Sequence, residues 1–398
     1  MPVPAEQVLE QLASSVVMMR APAPVTLNKA GANYKSEVPH LEYSPRAAYA
    51  EWLGICEAIL AAQGDAIVHF EAQDERFLDI EELWVSAEGQ IYAADSQQPL
   101  GSVDEILTGR VFSANGPWVV VDGKRMRALM PNMLAHRVAE APYYVELLQR
   151  VADVSGLELE LIYNPHRWEG MADVVACQGH ALLTYTVRGH YDAGISAKSL
   201  RSSREGARYA SEFAGLRPEE AVFAELVYPH FHGDTVHFAL RTSEGQVLMS
   251  YPDGLVEGFA TVVSEALGEH RMANIARADA VEHYAANSRQ IGSAVLVPES
   301  VSEAFVGQLK QYGLAVHRLA LNELFGKAGG GPGCATLYLP KNLSIPADAP
   351  MRYSVQRKHA QARLSRLART LSVDPAYFTK RQRGYSLNAQ EIKSPGHL

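Results

Sequence analysis

Two periodicities of hydrophobic and polar residues alternate along the chain. Short stretches that are apolar at every position or every second position predict strands, whereas longer stretches with apolar residues three or four positions apart predict helices. Their succession is typical of an α/β protein. The predicted helices cover about 46–62, 131–151, 196–214, 255–267 and 302–312. The predicted strands cover about 66–70, 90–94, 118–121, 158–163, 174–187, 221–227, 236–240, 293–297 and 315–319, with a hairpin at 241–250 and a further strand after Cys334.

Several predicted strands lie next to one another instead of standing singly between helices. The stretch 174–187 is broken into a pair at Gly179, and Glu244 and Gly245 form the turn of the hairpin. Adjacent strand pairs followed by a helix favour repeated ββαβ units over a doubly wound sheet. No linker rich in proline, glycine or serine divides these units, so we expect one catalytic domain over about 41–345.

The two ends of the chain differ from this central region. Residues 1–40 show little periodicity and contain Ala-Pro-Ala-Pro at 21–24, which predicts an N-terminal arm laid on the surface. Residues 346–398 predict a basic C-terminal tail, with a helix from Tyr353 to Leu371 and a polar end.

Composition and charge narrow the class of function. With 398 residues, 47% of them hydrophobic and 20% charged, the chain has the composition of a globular protein and not of a disordered one. Residues 351–398 hold ten Lys or Arg against two acids, whereas the other residues carry 26 basic and 43 acidic side chains. An acidic body suits a small cationic substrate better than a nucleic acid. The basic tail is expected to dock within the chain or between the subunits of a homo-oligomer.

The chain carries no signal for membrane insertion or export. No apolar stretch is long enough to cross a bilayer, and Glu6 and Glu10 stand where a signal peptide would be basic and then apolar. We therefore expect a cytoplasmic protein without a membrane partner. Its three cysteines, Cys56, Cys177 and Cys334, are odd in number and far apart, which fits neither a disulfide framework nor a zinc ribbon.

A glycine-rich loop ends in one of these cysteines. Residues 329–334 are Gly-Gly-Gly-Pro-Gly-Cys, and glycines at this density let the backbone approach a ligand closely. A phosphate-binding loop is excluded because no Lys-Ser or Lys-Thr follows and the GxGxxG spacing is missing. Two interpretations stay open, a turn with a buried cysteine or a nucleophilic Cys334 thiol with a histidine partner.

A histidine partner is available in the segment 230–237, His-Phe-His-Gly-Asp-Thr-Val-His. In an extended segment, His230, His232 and Asp234 would share one face. These residues could serve a catalytic pocket, bind zinc together with His237, or lie on the surface without a role.

Two further segments place polar residues just before predicted strands. Glu169 and Asp173 flank small residues ahead of the strand at 174, where two carboxylates could hold a guanidinium, whose planar fork of donors matches them. Asn115 precedes the strand at 118. A solvated turn explains either segment about as well.

Taken in this order, the four segments resemble the guanidino-modifying enzymes of the pentein superfamily: arginine deiminases, arginine dihydrolases, dimethylarginine dimethylaminohydrolases and amidinotransferases. These enzymes carry, in sequence order, a Phe-Thr-Ala-Asn or Arg-Asp element, a Glu-Gly-Gly-Asp element, His-x-Asp-Thr, and a glycine-rich loop that ends in Cys-x-Thr. The resemblance covers about 45–345, and the corresponding residues are 112–115, 169–173, 232–235 and 329–336.

This resemblance implies a fold, a chemistry and a set of site residues. The fold is the pentein fold, a pseudo-fivefold α/β propeller of ββαβ units, without cofactor or metal. Cys334 would attack the carbon of a guanidino group, in arginine or a similar small molecule, and form a covalent amidino-thioether. Glu169 and Asp234 would bind the guanidinium nitrogens, and His232 would be the acid and base. Asn115 and Asp173 are also expected to bind substrate.

The sequence departs from the family pattern in ways that leave undetermined which reaction of the family the protein would catalyse. Glu169 and Asp173 are four positions apart where three is common, and Asn115 stands where deiminases have Asp. The asparagine resembles the dihydrolases, which convert arginine to ornithine. If water is the second reactant, the protein is a hydrolase; if an acceptor amine is, it is an amidinotransferase. A third interpretation is a pentein that binds ligands without catalysing a reaction. The candidate partners of a substrate α-carboxylate are Arg137, Arg167, Arg188 and Arg201.

Overall fold

The computed structural model describes residues 8–9, 16–25, 40–106, 109–133, 137, 140–187 and 201–378. The α-helices of these ranges are α1 (Pro45–Ala61), α2 (Ala141–Ser155), α3 (Arg204–Phe213), α4 (Phe259–Leu267), α5 (Glu303–Gln311), α6 (Leu324–Ala328), α7 (Pro332–Ala335) and α8 (Tyr353–Arg366). The strands are β1 (Val16–Arg20), β2 (Glu42–Tyr43), β3 (Asp65–His69), β4 (Glu82–Val85), β5 (Gln90–Ala93), β6 (Gly101–Ser102), β7 (Trp118–Asp122), β8 (Arg125–Met130), β9 (Glu158–Tyr163), β10 (Val174–Cys177), β11 (His180–Tyr185), β12 (Ala221–Glu225), β13 (His237–Thr242), β14 (Gly245–Ser250), β15 (Met272–Asn274), β16 (Arg289–Ile291), β17 (Ala294–Pro298), β18 (Ala315–Leu319), β19 (Leu337–Tyr338) and β20 (Thr370–Val373).

Five three-stranded sheets share one construction. In each, the first strand pairs antiparallel with the second, and the third strand pairs parallel with the second after a helical crossover. The pair that we predicted around Gly179 is confirmed, with Val174 opposite Leu183. The predicted α/β fold is therefore confirmed, including the adjacent strand pairs. The five sheets are β7-β8-β9, β10-β11-β12, β13-β14-β15, β16-β17-β18 and β19-β1-β3.

Helix α1 shows how the sequence determines one of these elements. The Ser44 side chain accepts a hydrogen bond from the Ala47 N–H, and Pro45 occupies the first turn, where its missing N–H costs nothing. Trp52 and Ile55, three positions apart, are fully buried against the largest hydrophobic cluster. No helix in the described ranges is both long and apolar enough to cross a bilayer.

The prediction of an N-terminal surface arm is wrong for the part of the arm that the structure describes. β1 lies between β19 and β3, and Val17, Met18 and Met19 are completely buried. The apolar run that forms this strand is short and is followed by prolines. For these two reasons its sequence did not predict a strand of a central sheet. Residues 26–39 of the predicted arm lie outside the described ranges.

Residues 346–378 of the C-terminal tail are also part of the folded body. The predicted basic helix is present as α8, but it ends at Arg366, and β20 follows as a strand that we did not predict. β20 pairs with β2 and β4 in a sixth sheet, whose order is β2-β20-β4-β5-β6. As far as residue 378, the tail therefore docks within the chain, which is one of the two arrangements that we expected; the predicted polar end lies outside the described ranges.

A buried ion cluster joins this tail to the first part of the chain. The Asp74 carboxylate accepts hydrogen bonds from Arg110 and, at 3.2 Å, from Arg363 Nη2, and all three side chains are at most 3% exposed. Replacing Asp74 with alanine would leave two buried guanidinium groups without this partner. We expect the free energy of unfolding to fall by about 3–5 kcal/mol in urea denaturation.

A matched control is the exposed ion pair between Arg369 and Glu81, which joins the same two parts of the chain. Glu81→Ala should change the free energy of unfolding by less than about 1 kcal/mol. Equal losses in Asp74→Ala and Glu81→Ala would contradict the role given to the buried cluster.

Candidate active site

Five equivalent turns form a ring in the structure. Each directly precedes the first strand of its unit, namely β7, β10, β13, β16 or β19. Each turn contacts the next, and the last contacts the first. Because the units repeat the same path, residues that are distant in sequence come together here. The turns carry Asn115, Glu169, the pair His232 and Asp234, Asn287, and Cys334.

His232 and Glu169 form a buried hydrogen-bonded pair. His232 Nε2 lies 2.9 Å from Glu169 Oε2, and Arg201 Nη1 donates to the same oxygen at 3.1 Å. Burial alone would raise the pKa of the Glu169 carboxyl, but the charge of Arg201 and the bond from His232 outweigh it and hold that pKa well below its usual value. Glu169 is therefore an ionised carboxylate that orients the imidazole. This arrangement argues against the direct guanidinium contact expected of Glu169.

Cys334 and Asp234 form a second buried pair. The Cys334 Sγ–H donates to Asp234 Oδ2 at 3.4 Å. Burial raises the pKa of the Cys334 thiol well above its ordinary value, and the neighbouring carboxylate raises it further. Burial raises the pKa of Asp234 as well. Burial and the carboxylate thus favour the protonated sulfur in the free protein, whereas a bound guanidinium would favour the thiolate.

Asn287 links these two residues and was not predicted as a site residue. Its Oδ1 accepts from the Cys334 backbone N–H at 2.8 Å, and its Nδ2 donates to the Asp234 carbonyl at 3.1 Å. One amide thus fixes the distance between the two turns. Its position just before β16, equivalent to that of the other site residues before their strands, is the sequence signal that could have identified it.

Asn115 is held by the protein at both ends of its amide. Its Nδ2 donates to the Glu169 carbonyl at 3.0 Å and lies 3.4 Å from His232 Nε2. Its Oδ1 accepts from Arg137 Nη1 at 2.5 Å, and both carboxylate oxygens of Glu140 bind the same guanidinium. The amide therefore lies next to the catalytic candidates in a fixed orientation.

Asp173 is hydrogen-bonded to the turn that carries His232. Its carboxylate accepts hydrogen bonds from the Gly233 N–H at 3.0 Å, from the Thr184 hydroxyl at 2.8 Å and from the Ser202 hydroxyl. Both oxygens are engaged within the protein. This arrangement argues against the substrate contact that was expected of Asp173.

The histidines of the segment 230–237 lie in different environments. Residues 233–235 form a helical turn, which ends the alternation expected for an extended segment. His230 Nδ1 lies 3.1 Å from Thr235 Oγ1, and burial lowers the pKa of His230 to about 4 and that of His237 to about 3. Within the described ranges, no group of three or more His, Cys, Asp or Glu side chains could hold a metal ion. The zinc interpretation has no support there.

Two of the four arginines proposed for a substrate carboxylate lie at the site. Arg137 bonds to Asn115, and Arg201 bonds to Glu169. Arg167 is half-buried, and its backbone carbonyl accepts from Ser203. Arg188 lies outside the described residues.

The fold matches those of solved guanidino-modifying enzymes. The N-terminal domain of ArgZ, a cyanobacterial arginine dihydrolase solved with its substrate, has a TM-score of 0.60 at 18% identity, over 82% of this chain and 98% of that one. AgrE in complex with ornithine and NAD+ has a TM-score of 0.57 at 18% identity, over 84% of this chain and 40% of that one. A dimethylarginine dimethylaminohydrolase adduct with S-methyl-L-thiocitrulline has a TM-score of 0.54 at 16% identity, over 81% and 98%.

No protein-family model and no curated protein sequence matches the chain. At 16–18% identity the structural likeness concerns the fold, and it spans nearly the whole of two of these enzymes. The chain thus has the mixed α/β fold of these solved enzymes.

Proposed function

We propose that the protein is a cysteine-dependent hydrolase that acts on the guanidino group of arginine or an arginine-like small molecule. The observation that carries this proposal is that two residues of one turn each contact a residue of another turn: Asp234 lies beside Cys334, and His232 lies beside Glu169. A nucleophile, a carboxylate and an oriented histidine are the groups that such a reaction needs. The arginine dihydrolase fold, seen in one neighbour with a covalently bound reaction intermediate, supports the same chemistry.

Substrate binding would also activate the nucleophile. The Asp234 Oδ1 atom is buried and has no hydrogen-bond partner among the described residues, so it can accept an N–H of a guanidinium. The positive charge of the substrate would then offset the burial of the thiolate and lower the pKa of Cys334. Arg137 bonds to Asn115 and Arg201 bonds to Glu169, and we propose these two buried arginines as partners of a substrate carboxylate.

The reaction is proposed in two steps. Cys334 Sγ bonds to the guanidino carbon while its proton passes to His232, and His232 gives a proton to the departing nitrogen as the C–N bond breaks and ammonia leaves. Water then gives a proton to His232 and attacks the same carbon. The C–S bond breaks, and the thiolate and a ureido product remain. A second round on that carbon would release the remaining ammonia and carbon dioxide and leave ornithine.

An amidinotransferase would use the same groups with an amine in place of water. The structural neighbours named as dihydrolase and dimethylaminohydrolase favour water. A ligand-binding protein without activity is a weaker proposal, because the described site retains a thiol in contact with one carboxylate and a histidine in contact with another. The test is product analysis with arginine, with and without glycine or lysine as acceptor. Ornithine or citrulline with ammonia supports the hydrolase, and products formed only with an acceptor support the transferase.

Asn115 is expected to influence how far hydrolysis proceeds. The amide of Asn115 adds no charge beside the reacting groups, which suits a neutral ureido group, whereas a carboxylate there would favour only a cation. In Asn115→Asp, the new carboxylate would pair with Arg137 beside the site. We expect the wild type to form ornithine with two molecules of ammonia per turnover, and Asn115→Asp to shift the products towards citrulline. An unchanged product ratio would show that Asn115 does not determine the outcome.

We also propose that the five ββαβ sheets form a pseudo-fivefold propeller around the site. The closed ring of turns supports this arrangement, as do the contacts of β13 with β10 and β16. The catalytic domain proposed for 41–345 would then include β1 and be closed on one side by α8 and β20. Three free, buried cysteines fit the proposed cytoplasmic location. Association of subunits through the tail is a weaker proposal, because the arginines of α8 pair within the chain.

A further inference from the structure

Arg289 holds the turn that carries Cys334. It is the first residue of β16, two positions after Asn287. Its Nε donates to Thr336 Oγ1 at 2.7 Å, and its Nη2 donates at 2.8 Å to the carbonyl oxygens of Gly333 and Thr336. The planar guanidinium therefore binds the backbone on both sides of Cys334, a geometry that lysine cannot reproduce.

The charge of Arg289 is not neutralised by an ion pair with any described residue, so it can act on the site. The guanidinium lies over the Tyr338 ring, 4.3 Å from the centroid, and no carboxylate in the described ranges forms an ion pair with it. Arg289 and Asp234 both line a cavity of about 70 Å³ next to the Cys334 turn. The charge of Arg289 opposes the effect of burial on the pKa of Asp234. The other titratable groups at this cavity or at the thiol are His232, His237, Arg241 and Tyr338.

We propose that Arg289 is a positioning residue that fixes the Cys334 turn from the cavity side and supplies positive charge to the Asp234–Cys334 pair. The proposal rests on the proposed role of Cys334 as nucleophile. Arg289 bonds to Gly333 and Thr336 and not to the open site, so it acts on the rate of attack and not on the binding of substrate. A displacement of about 1 Å at a reacting atom can cost about 100-fold in rate.

The test compares Arg289→Met, Arg289→Lys and a control, Arg318→Met. Arg318 lies on β18 of the same sheet, and its guanidinium bonds to Glu303 and to the Val301 carbonyl, away from the site. Two quantities are measured for each protein: kcat and KM with the guanidino substrate, and the rate at which iodoacetamide alkylates Cys334 as a function of pH. Peptide mass spectrometry identifies the alkylated cysteine.

In Arg289→Met we expect kcat to fall about 100-fold with little change in KM, and the pH midpoint of Cys334 alkylation to rise. The midpoint rises because loss of a nearby cation makes the thiolate harder to form. Arg289→Lys keeps the charge, so its midpoint should stay near that of the wild type while kcat is still reduced. Arg318→Met should match the wild type in both quantities. A kcat and a midpoint for Arg289→Met like those of the control would overturn the proposal.

Thr336→Val covers the case in which Arg289→Met does not fold. This variant removes the hydroxyl that accepts from Arg289 Nε and donates to the Pro332 carbonyl at 2.7 Å, and it should lower kcat without moving the alkylation midpoint. An unchanged kcat in both Thr336→Val and Arg289→Lys would overturn the positioning role. Alkylation needs no substrate, so a shifted midpoint in a protein that turns over no guanidino compound would contradict the proposed function and leave the role of Arg289 standing.

Discussion

Replacing Cys334 with alanine is expected to abolish turnover, with a loss of at least about 10⁴-fold in kcat, while the fold is preserved. The side chain is small, lies in a short helical turn and contributes one weak hydrogen bond to Asp234. Its removal eliminates the only atom of the described site that can form the covalent intermediate at the guanidino carbon. Cys334→Ser should be nearly as inactive, because a hydroxyl ionises far above the pH at which a thiol does. The measurement is ammonia release from arginine.

Cys177→Ala is the matched control for this loss. Cys177 is also buried, but it lies in a hydrophobic cluster, and burial raises the pKa of its thiol to about 12. Its substitution should leave kcat largely intact, as should that of Cys56. An active Cys334→Ala enzyme would rule out the covalent mechanism, and an inactive Cys177→Ala enzyme that is folded would show that the wrong cysteine has been assigned.

His232→Ala is expected to lower kcat by about 10²–10⁴-fold, the range usual for loss of a general acid and base. His232 Nε2 is bonded to Glu169, and its Nδ1 has no hydrogen-bond partner among the described residues, which leaves that nitrogen available to exchange protons with substrate. Glu169→Gln should reduce kcat as well, because a neutral amide no longer stabilises a protonated imidazole. KM should change less than kcat in both variants.

The control for the histidine is His270→Ala. His270 is exposed and lies in a surface turn, so its loss should leave kcat unchanged. The proposed acid and base role would be contradicted by a His232→Ala enzyme whose kcat lies within about threefold of that of His270→Ala.

That the candidate site residues lie close together could be predicted from sequence, because each of them lies just before a strand. Asn115, Glu169, His232 and Cys334 stand in equivalent turns of repeated units, so recognising the units also brings the turns together. The choice of hydrogen-bond partner could not be predicted in this way. That Glu169 faces His232, and that Asp173 faces the backbone of the histidine turn, depends on side-chain directions in the folded ring.

The elements of the fold that were predicted wrongly are strands that pair with distant parts of the chain. β1 is completed by β19, and β20 by β4, across almost the whole sequence. Local periodicity carries no information on such partners, and a strand of four or five residues beside prolines or a basic helix gives a weak signal. Arg289 was missed for a similar reason. An arginine in a strand is ordinarily a surface residue, and only the folded structure shows its contacts with Gly333 and Thr336.

The central claim is that Cys334 forms a covalent bond to the guanidino carbon, and peptide mass spectrometry of acid-quenched protein tests it most directly. Wild type and His232→Ala are incubated with arginine, quenched within the first turnovers and digested. We expect the peptide that contains Cys334 to carry the mass of arginine less ammonia, because ammonia leaves before water attacks the carbon that is bound to the sulfur. Turnover of arginine without any adduct on Cys334 in either protein, or an adduct on Cys56 or Cys177 instead, would contradict the account.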